Sequence, residues 1–437
     1  MSILYYSIYL KFNICFETNI IKKVKKVRKA YIDLEKSKRY DRGISRRYIM
    51  KFTGSQLKIL EMIKENRFIS RKKIAEELKL TPPAITKALE PLLQENVVLE
   101  HAMGKSTGGR KPVELILNEE WLGKVLGISL TPTSLVVTVG SVLGEIIESY
   151  TYNINLKTYS ILELEEIIEK ELEKRIDIRI LSIVSTGLIN PETGVLIFSP
   201  HYNWKKINLK SELEKKFKLV ILVENDVRAM ALTEKYFGNC KDSKDYVVLN
   251  ISEGVGSSIF VNEKLLSGHG FMSGEIGHVV MDRTSLRRCS CGKRGCLEAE
   301  VSNLAIINRL ISMIKLNNYS SLKEILNTKG KITIKDVLKA VEKRDFLSTK
   351  VSTEAMVMIA HSIDMIISLL NPEKIVLMGD IFQEKLLMST LKLELQKVTL
   401  DEQKYDLSVS KILDKVHIYN PISVVIHNLF KKEIWRR

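Results

Sequence analysis

The chain has 437 residues, 45% of them hydrophobic, which supplies packed cores and excludes a globally disordered polymer; that length is expected to divide into two or three domains. No uninterrupted apolar run of about 20 residues occurs, so no membrane span is expected, and five cysteines cannot build a disulfide framework here. A reducing, cytoplasmic setting with metal-binding thiols is the expectation, while the net charge of +16 points to a nucleic-acid partner.

That charge is uneven. Residues 1–49 hold 13 Lys+Arg against 4 Asp+Glu, more than half of the excess. The opening MSILYYSIYLKFNICF lacks a basic start and a small-residue cleavage site, so it is a poor secretory signal. The following IIKKVKKVRKAYIDLEKSKRY fits a basic amphipathic helix, with Ile20, Val24, Val27, Tyr31 and Leu34 on one side. It reads as an arm for DNA or a membrane surface. A second reading treats it as untranslated: the Arg46-Arg47 codons, if AGG-AGG, form a purine-rich ribosome-binding site before Met50. Met50 is the expected start.

Residues 50–118 carry a DNA-binding pattern. Leu57, Leu60 and Ile63 define the inner face of a first helix, and Ser70 caps a second with Ile74, Ala75 and Leu78 inward. Thr81 is expected to cap a third, PPAITKALEPLLQ, with Pro82 at its first position, where a missing N–H costs nothing. Two short helices joined by a tight turn make a helix-turn-helix, whose second helix enters the major groove of double-stranded operator DNA. Thr81, Ala84, Thr86 and Lys87 are the candidate DNA-facing residues, while Ile85, Ala88, Leu89 and Leu92 pack inward. VVLEHAMGKSTGGRKPVELIL then reads as strand, basic glycine-rich tip and strand, a wing. Gly108 and Gly109 let the tip turn, and Arg110 and Lys111 neutralise phosphates or enter the minor groove. Pro91 should kink or end the third helix.

From residue 119 the pattern changes to α/β. KVLGISLTPTSLVVTVGSVLGEIIESYTYNI gives three successive strands, and ILELEEIIEKELEKRI an amphipathic helix. ILSIVSTGLI, LVILVEND and DYVVLNIS are further strands interleaved with helices. Near the end, TEAMVMIAHSIDMIISLLNPEKIVLMGDIF reads as a long helix and a strand ending at Gly379.

Five motifs, VENDVRAMALTE (223–234), EGVGSSI (253–259), SGEIGH (273–278), CSCGKRGCLE (289–298) and NPEKIVLMGDI (371–381), resemble the ROK family of sugar kinases and sugar-responsive repressors. The winged helix with its STGGRKP tip is similar to the family's repressor branch, which includes xylose- and N-acetylglucosamine-type repressors. The resemblance spans residues 51–437. It implies an α/β, actin-like, two-lobed sugar-kinase fold behind an N-terminal winged helix-turn-helix, with sugar in the cleft and a homodimer as the common assembly. The expected boundaries are 1–49, 50–118 and 119–437, with lobes at about 119–240 and 241–415 and a C-terminal helix, 416–437, returning to the first lobe.

The motif C-x-C-G-x-x-G-C, with His278 eleven residues ahead of Cys289, offers three thiolates and one imidazole. His278, Cys289, Cys291 and Cys296 suit tetrahedral Zn²⁺ in a structural role. Iron or copper remain alternatives by ligand type, as do buried or redox thiols. The family implies that Asn225, Asp226, Glu275, His278 and Glu298 bind the hydroxyls of a monosaccharide or N-acetylated sugar effector. Asn225 and Asp226 also follow the apolar strand LVILV, and sites in α/β sheets form at strand C-termini. In family kinases the residue matching Asp226 is the general base.

The phosphate loops depart from the kinase pattern. Family kinases place Asp and then Gly-Gly-Thr on the first hairpin; here Ser129, Leu130, Thr131 and Pro132 stand there. Glu253 replaces a usual Thr, and LMGDI replaces a Gly-Gly pair. His201 and Asn203 alter a sugar-side segment. The expectation is a sugar-responsive repressor that does not need ATP or Mg²⁺; the alternative is an ATP-dependent sugar kinase carrying a DNA-binding domain.

Overall fold

Thr53 and Gln56 satisfy each other's backbone. The Thr53 hydroxyl accepts from Gln56 N, and Gln56 Oε1 accepts from Thr53 N at 2.8 Å. This capping box starts α1 (Gly54–Asn66) in a computed structural model that describes residues 52–102, 113–154, 160–199, 202 and 204–431. The Ser70 hydroxyl likewise accepts from Lys73 N and starts α2 (Arg71–Leu78). Thr81 occupies the cap position of α3 (Pro82–Gln94), but its hydroxyl makes no capping bond, so prolines and not a side-chain cap set that start. Pro91 does not end α3. The helix continues to Gln94, because only its last turn lies beyond the proline and Leu89 and Leu92 are fully buried around it.

β1 (Ile69–Ser70), β3 (Val113–Leu117) and β2 (Val98–Ala102) form a small sheet in that order, completing the winged-helix architecture. The wing tip with Gly108, Gly109, Arg110 and Lys111 lies outside the described residues, as do residues 1–51, His201 and Asn203.

After the short α4 (Glu119–Leu122), the body repeats one plan twice. β4 (Lys124–Leu130), β5 (Ser134–Ser141) and β6 (Ile146–Asn153) run as an antiparallel meander. α5 (Ile161–Lys174) leads to β7 (Ile178–Ser185), parallel to β4. A flap of β8 (Leu188–Asn190), β9 (Val195–Ser199) and β10 (Trp204–Asn208) follows. α6 (Leu209–Phe217) then leads to β11 (Val220–Asn225), parallel to β7. The sheet order is β11-β7-β4-β5-β6. α7 (Asp226–Tyr236) crosses to the second half.

There β12 (Tyr246–Ile251), β13 (Val255–Val261) and β14 (Lys264–Leu265) repeat the meander. A 3₁₀ turn, Ile276–His278, precedes α8 (Leu297–Val301), α9 (Asn303–Lys315), α10 (Leu322–Lys329), α11 (Ile334–Glu342) and α12 (Phe346–Leu370). β15 (Lys374–Met378), α13 (Lys385–Val398) and β16 (Asp406–Val409) close a sheet ordered β14-β13-β12-β15-β16. Each half is thus three antiparallel strands extended by two parallel ones. The 25-residue α12 is long and apolar enough to cross a membrane, yet Ala355, Met356, Ile359, Ala360 and Ile363 are buried in the core of the second half.

α14 (Val416–Asn428) returns to pack on β4, β5, β7 and α7. Its Ile422, Val425 and Ile426 share one core with Leu60, Ile63 and Leu89 of the winged helix and with Val125 and Ile180 of the first sheet. The head therefore has no separate core of its own; it is fused to the first half through α14.

Candidate functional site

The apolar residues of β11 bury the strand and leave its polar C-terminus at the junction of the halves. Asn225 caps α7: its Oδ1 accepts from Arg228 N at 3.0 Å, while its Nδ2 donates to the Gly187 carbonyl and to Asp226 Oδ1. Asp226 is the first residue of α7 and half-buried at its surface. Burial pushes its carboxyl up to about 6 against backbone N–H donors, and the charge of Glu275 adds to the rise. Burial also raises Glu275, opposed by His278 and reinforced by Glu298. Asp226 of the first half thus lies within electrostatic reach of Glu275 of the second, and Glu275 within reach of His278 and Glu298.

His278 separates its two ring nitrogens between two surroundings. Nδ1 lies 3.4 Å from Cys289 Sγ, and Nε2 lies 3.7 Å from Glu275 Oε2. Ligand atoms of His278, Cys289 and Cys291 all lie within 4.8 Å of one another, a group that can hold a metal ion. Cys296 Sγ is 3.7 Å from Cys291 Sγ. Zinc bonds to sulfur and nitrogen imply tetrahedral S···S edges of about 3.8 Å and S···N edges of about 3.5 Å. The observed 3.7 and 3.4 Å edges match two edges of that geometry, but the group whose ligand atoms all lie within 4.8 Å of one another does not include Cys296.

Two glycines let the loop close. Gly292 and Gly295 have φ of +90° and +67°, and a Cβ on Gly295 would sit 1.8 Å from the Asp282 carbonyl oxygen. Glu298 follows on the first turn of α8. Its Oε2 accepts from Val255 N at 3.3 Å and its Oε1 from the Ser290 hydroxyl at 2.8 Å, so the cysteine loop and the start of β13 both orient it.

Ser290 and Arg228 join the site only through the fold. Arg228 is buried and donates from Nε to Glu224 Oε1 at 2.8 Å. Glu224 lies at the end of β11 and Arg228 in the first turn of α7, so the pair spans a strand-to-helix junction that no helix-spacing rule marks.

At the first hairpin, Ser129 is buried and donates to the His417 carbonyl at 2.7 Å. The Thr131 hydroxyl accepts from Ser134 N at 3.0 Å and Thr133 N at 3.4 Å. The turn therefore already consumes backbone donors that a phosphate would need. At the other strand end, a Cβ on Gly379 would sit 2.0 Å from the Ile251 carbonyl oxygen, so strand packing alone demands this glycine.

In the head, Thr81, Ala84, Thr86 and Lys87 are all exposed, while Ile85, Leu89 and Leu92 are buried. Thr86 donates its hydroxyl to the Pro82 carbonyl at 3.1 Å. A depression lined by Lys392, Leu395, Leu400 and Tyr405 contains none of the cleft residues and is not part of this site.

The two halves, with polar side chains meeting where β11 and the 3₁₀ turn converge, define a sugar-kinase-like body behind a winged helix-turn-helix. The ROK family model matches residues 125–417, and a winged helix-turn-helix DNA-binding model matches residues 53–98. The chain belongs to the ROK family. It is 29% identical over 331 residues to the DNA-binding transcriptional dual regulator NagC of Escherichia coli, covering 74% of this chain and 80% of that protein. It is 27% identical over 393 residues to the xylose repressor of Caldicellulosiruptor bescii, covering 86% and 96%. A solved ROK family transcriptional regulator, a homolog of the E. coli MLC protein, superposes with a TM-score of 0.76 at 26% identity, over 87% of this chain and 98% of that one. A Streptomyces griseus ROK glucokinase, solved with glucose and AMPPNP, shares the body fold at a TM-score of 0.59 and 19% identity, covering 69% of this chain and 98% of that one.

Proposed function

We propose that this protein is a sugar-responsive repressor of carbohydrate-utilisation genes, acting in the cytoplasm as a homodimer on a pseudo-palindromic operator. The observation that carries the reading is the shared core: α14 joins the exposed DNA-facing helix to the half whose strand end presents Asn225 and Asp226. A sugar that closes the cleft thereby acts on the head through packed side chains. Relatives named as xylose and N-acetylglucosamine repressors support xylose or an N-acetylated hexose as the first effectors to try.

In this reading Asn225, Asp226, Glu275, His278 and Glu298 take the sugar hydroxyls. His278 Nδ1, Cys289, Cys291 and Cys296 hold a structural Zn²⁺, which fixes the wall bearing His278 and Glu298. The boundaries 50–118 for the head and 119–437 for the sensor follow, with Thr81, Ala84, Thr86, Lys87, Arg110 and Lys111 toward DNA.

A second reading, an ATP-dependent sugar kinase, draws support from Asp226, because a carboxyl near pKa 6 suits a general base. The occupied Thr131 turn and buried Ser129 weigh against it. Fluorescence anisotropy on operator DNA with xylose, glucose and N-acetylglucosamine, run beside a coupled ATP-turnover assay, separates the two. Sugar-dependent DNA release without turnover is expected; robust sugar phosphorylation overturns the repressor-only reading.

A further inference from the structure

Arg228 stands two residues beyond Asp226 on α7, yet its guanidinium reaches across to the second half. Nε donates to Glu224 Oε1 at 2.8 Å, Nη1 to the Leu266 carbonyl at 3.2 Å and Nη2 to the Ser267 hydroxyl at 3.3 Å. Glu224 Oε1 also accepts from Asn225 N at 2.9 Å, so the same carboxylate serves the cleft residue and the arginine.

Leu266 and Ser267 begin the connection that ends in Glu275. Ser273 N donates back to the Ser267 carbonyl, closing residues 267–273 on themselves. The Gly274 carbonyl then accepts from Ser257 N and from the Ser257 hydroxyl, both at 2.9 Å. Glu275 therefore hangs from a loop whose base is bolted to α7 at one end and to β13 at the other. A surface ion pair would give no such linkage. Arg228 is buried, its planar donors are divided between the two halves, and its helix begins with Asp226.

We infer that Arg228 is a positioning residue that sets the separation of Asp226 and Glu275, and with it which vicinal hydroxyl pair a sugar must present. The inference rests on the sugar-cleft reading. Three donors in one rigid plane leave the Ser267 base little freedom relative to the start of α7. A shorter or singly donating side chain releases the loop while leaving both carboxylates in place.

The test uses the full-length protein. Arg228→Gln is expected to raise amide hydrogen exchange across 266–275 by about tenfold or more, leaving the head unchanged, because a buried charge-assisted network is worth about that factor. Calorimetry with xylose, glucose and N-acetylglucosamine is expected to give about tenfold weaker binding for Arg228→Gln, with part of the loss recovered by Arg228→Lys. Ser267→Ala, which removes one contact at little risk to folding, is expected to follow in the same direction by about two- to threefold. A double-mutant cycle between Asp226→Asn and Glu275→Gln is expected to lose its coupling in the Arg228→Gln background. Unchanged exchange over 266–275 overturns the latch whether or not any sugar binds. Unchanged sugar affinity and coupling, with sugar binding to the wild type intact, overturns the positioning role. A wild type that binds none of the three sugars rejects the cleft reading instead, and the exchange measurement still decides the latch.

Discussion

Lys64, on the first helix of the winged head, donates its ammonium to the carbonyl of Ile426 on the last helix of the body, at 3.0 Å. Lys64 is buried and also pairs with Glu61. A buried cation spanning two segments separated by most of the chain ties the position of the head to α14. Lys64→Met keeps the apolar stem and removes the charge, leaving the Ile426 carbonyl without this donor. The expected cost is about 1–3 kcal/mol in chemical denaturation. A fall in the effect of sugar on DNA affinity is expected with it, while sugar binding itself persists.

The head makes a separate prediction. Lys87 is exposed on α3, as are Ala84 and Thr86. Lys87→Ala is expected to weaken binding about equally for all DNA sequences and to reduce the slope of log affinity against log salt by about one. Thr86→Ala, in contrast, is expected to change sequence preference more than salt slope. An unaltered slope for Lys87→Ala removes that residue from the interface.

Much of this arrangement was legible in the sequence, for identifiable reasons. Buried Leu89 and Leu92 sit at helical spacing, and the two glycines between Cys291 and Cys296 are needed for the loop to close. What was not legible is the three-dimensional bookkeeping of donors. Ser129 and Thr131 read as missing kinase residues, but only the fold gives them partners in the His417 carbonyl and the turn's own N–H groups. Pro91 violates a local rule that burial of its neighbours overrides. Arg228 pairs with a loop 38 residues away, a contact that no local pattern specifies.

Metal removal tests whether a bound ion orders the wall that bears His278 and Glu298. Dialysis against a strong chelator under reducing conditions is expected to release about one equivalent of zinc and to weaken sugar binding about tenfold or more. DNA affinity of the sugar-free protein is expected to survive, because the head draws its core from α14 and the first sheet. Cys296→Ser should behave like the chelated protein. Elemental analysis finding no bound metal, or full sugar affinity after chelation, removes the metal from the sensing site.

Asp226 gives a pH prediction with a definite sign. Its folded pKa is raised from 3.8 to about 6, mainly by burial, so the folded protein holds the proton more tightly than the unfolded chain. Ionising it therefore costs stability. The cost is absent at pH below 3.8, grows through pH 6 and is complete above. That rise from 3.8 to about 6 corresponds to about 3 kcal/mol, with the opposing hydrogen bonds to the charged form already included. Asp226→Asn is expected to stabilise the free protein by about 1–3 kcal/mol near neutral pH, with the gain vanishing toward about pH 4. Sugar affinity is expected to drop in the same variant, since the amide cannot replace a doubly accepting carboxylate. Denaturation curves across that pH range check the first effect and calorimetry the second.

The route from cleft to head can be cut without touching either. α7 begins at Asp226 and meets α14 through a row of polar contacts: Thr233 donates to Asn420 Oδ1 at 2.8 Å, and the Tyr236 hydroxyl lies 3.2 Å from His427 Nδ1. His427 is held neutral by burial, its pKa well below the usual histidine range, so this contact is one neutral hydrogen bond between two helices. Tyr236 is half-buried, and the charges of Glu61 and Glu65 on α1 of the head act on its hydroxyl. Tyr236→Phe removes only the hydroxyl and keeps the ring's packing. Sugar affinity and sugar-free DNA affinity are both expected to stay within about twofold, while the factor by which sugar changes DNA binding shrinks, because that factor is the coupling free energy carried by the joint. Calorimetry and anisotropy on the same preparation measure all three quantities. A variant in which the coupling factor is unchanged places the relay elsewhere than the α7–α14 contact.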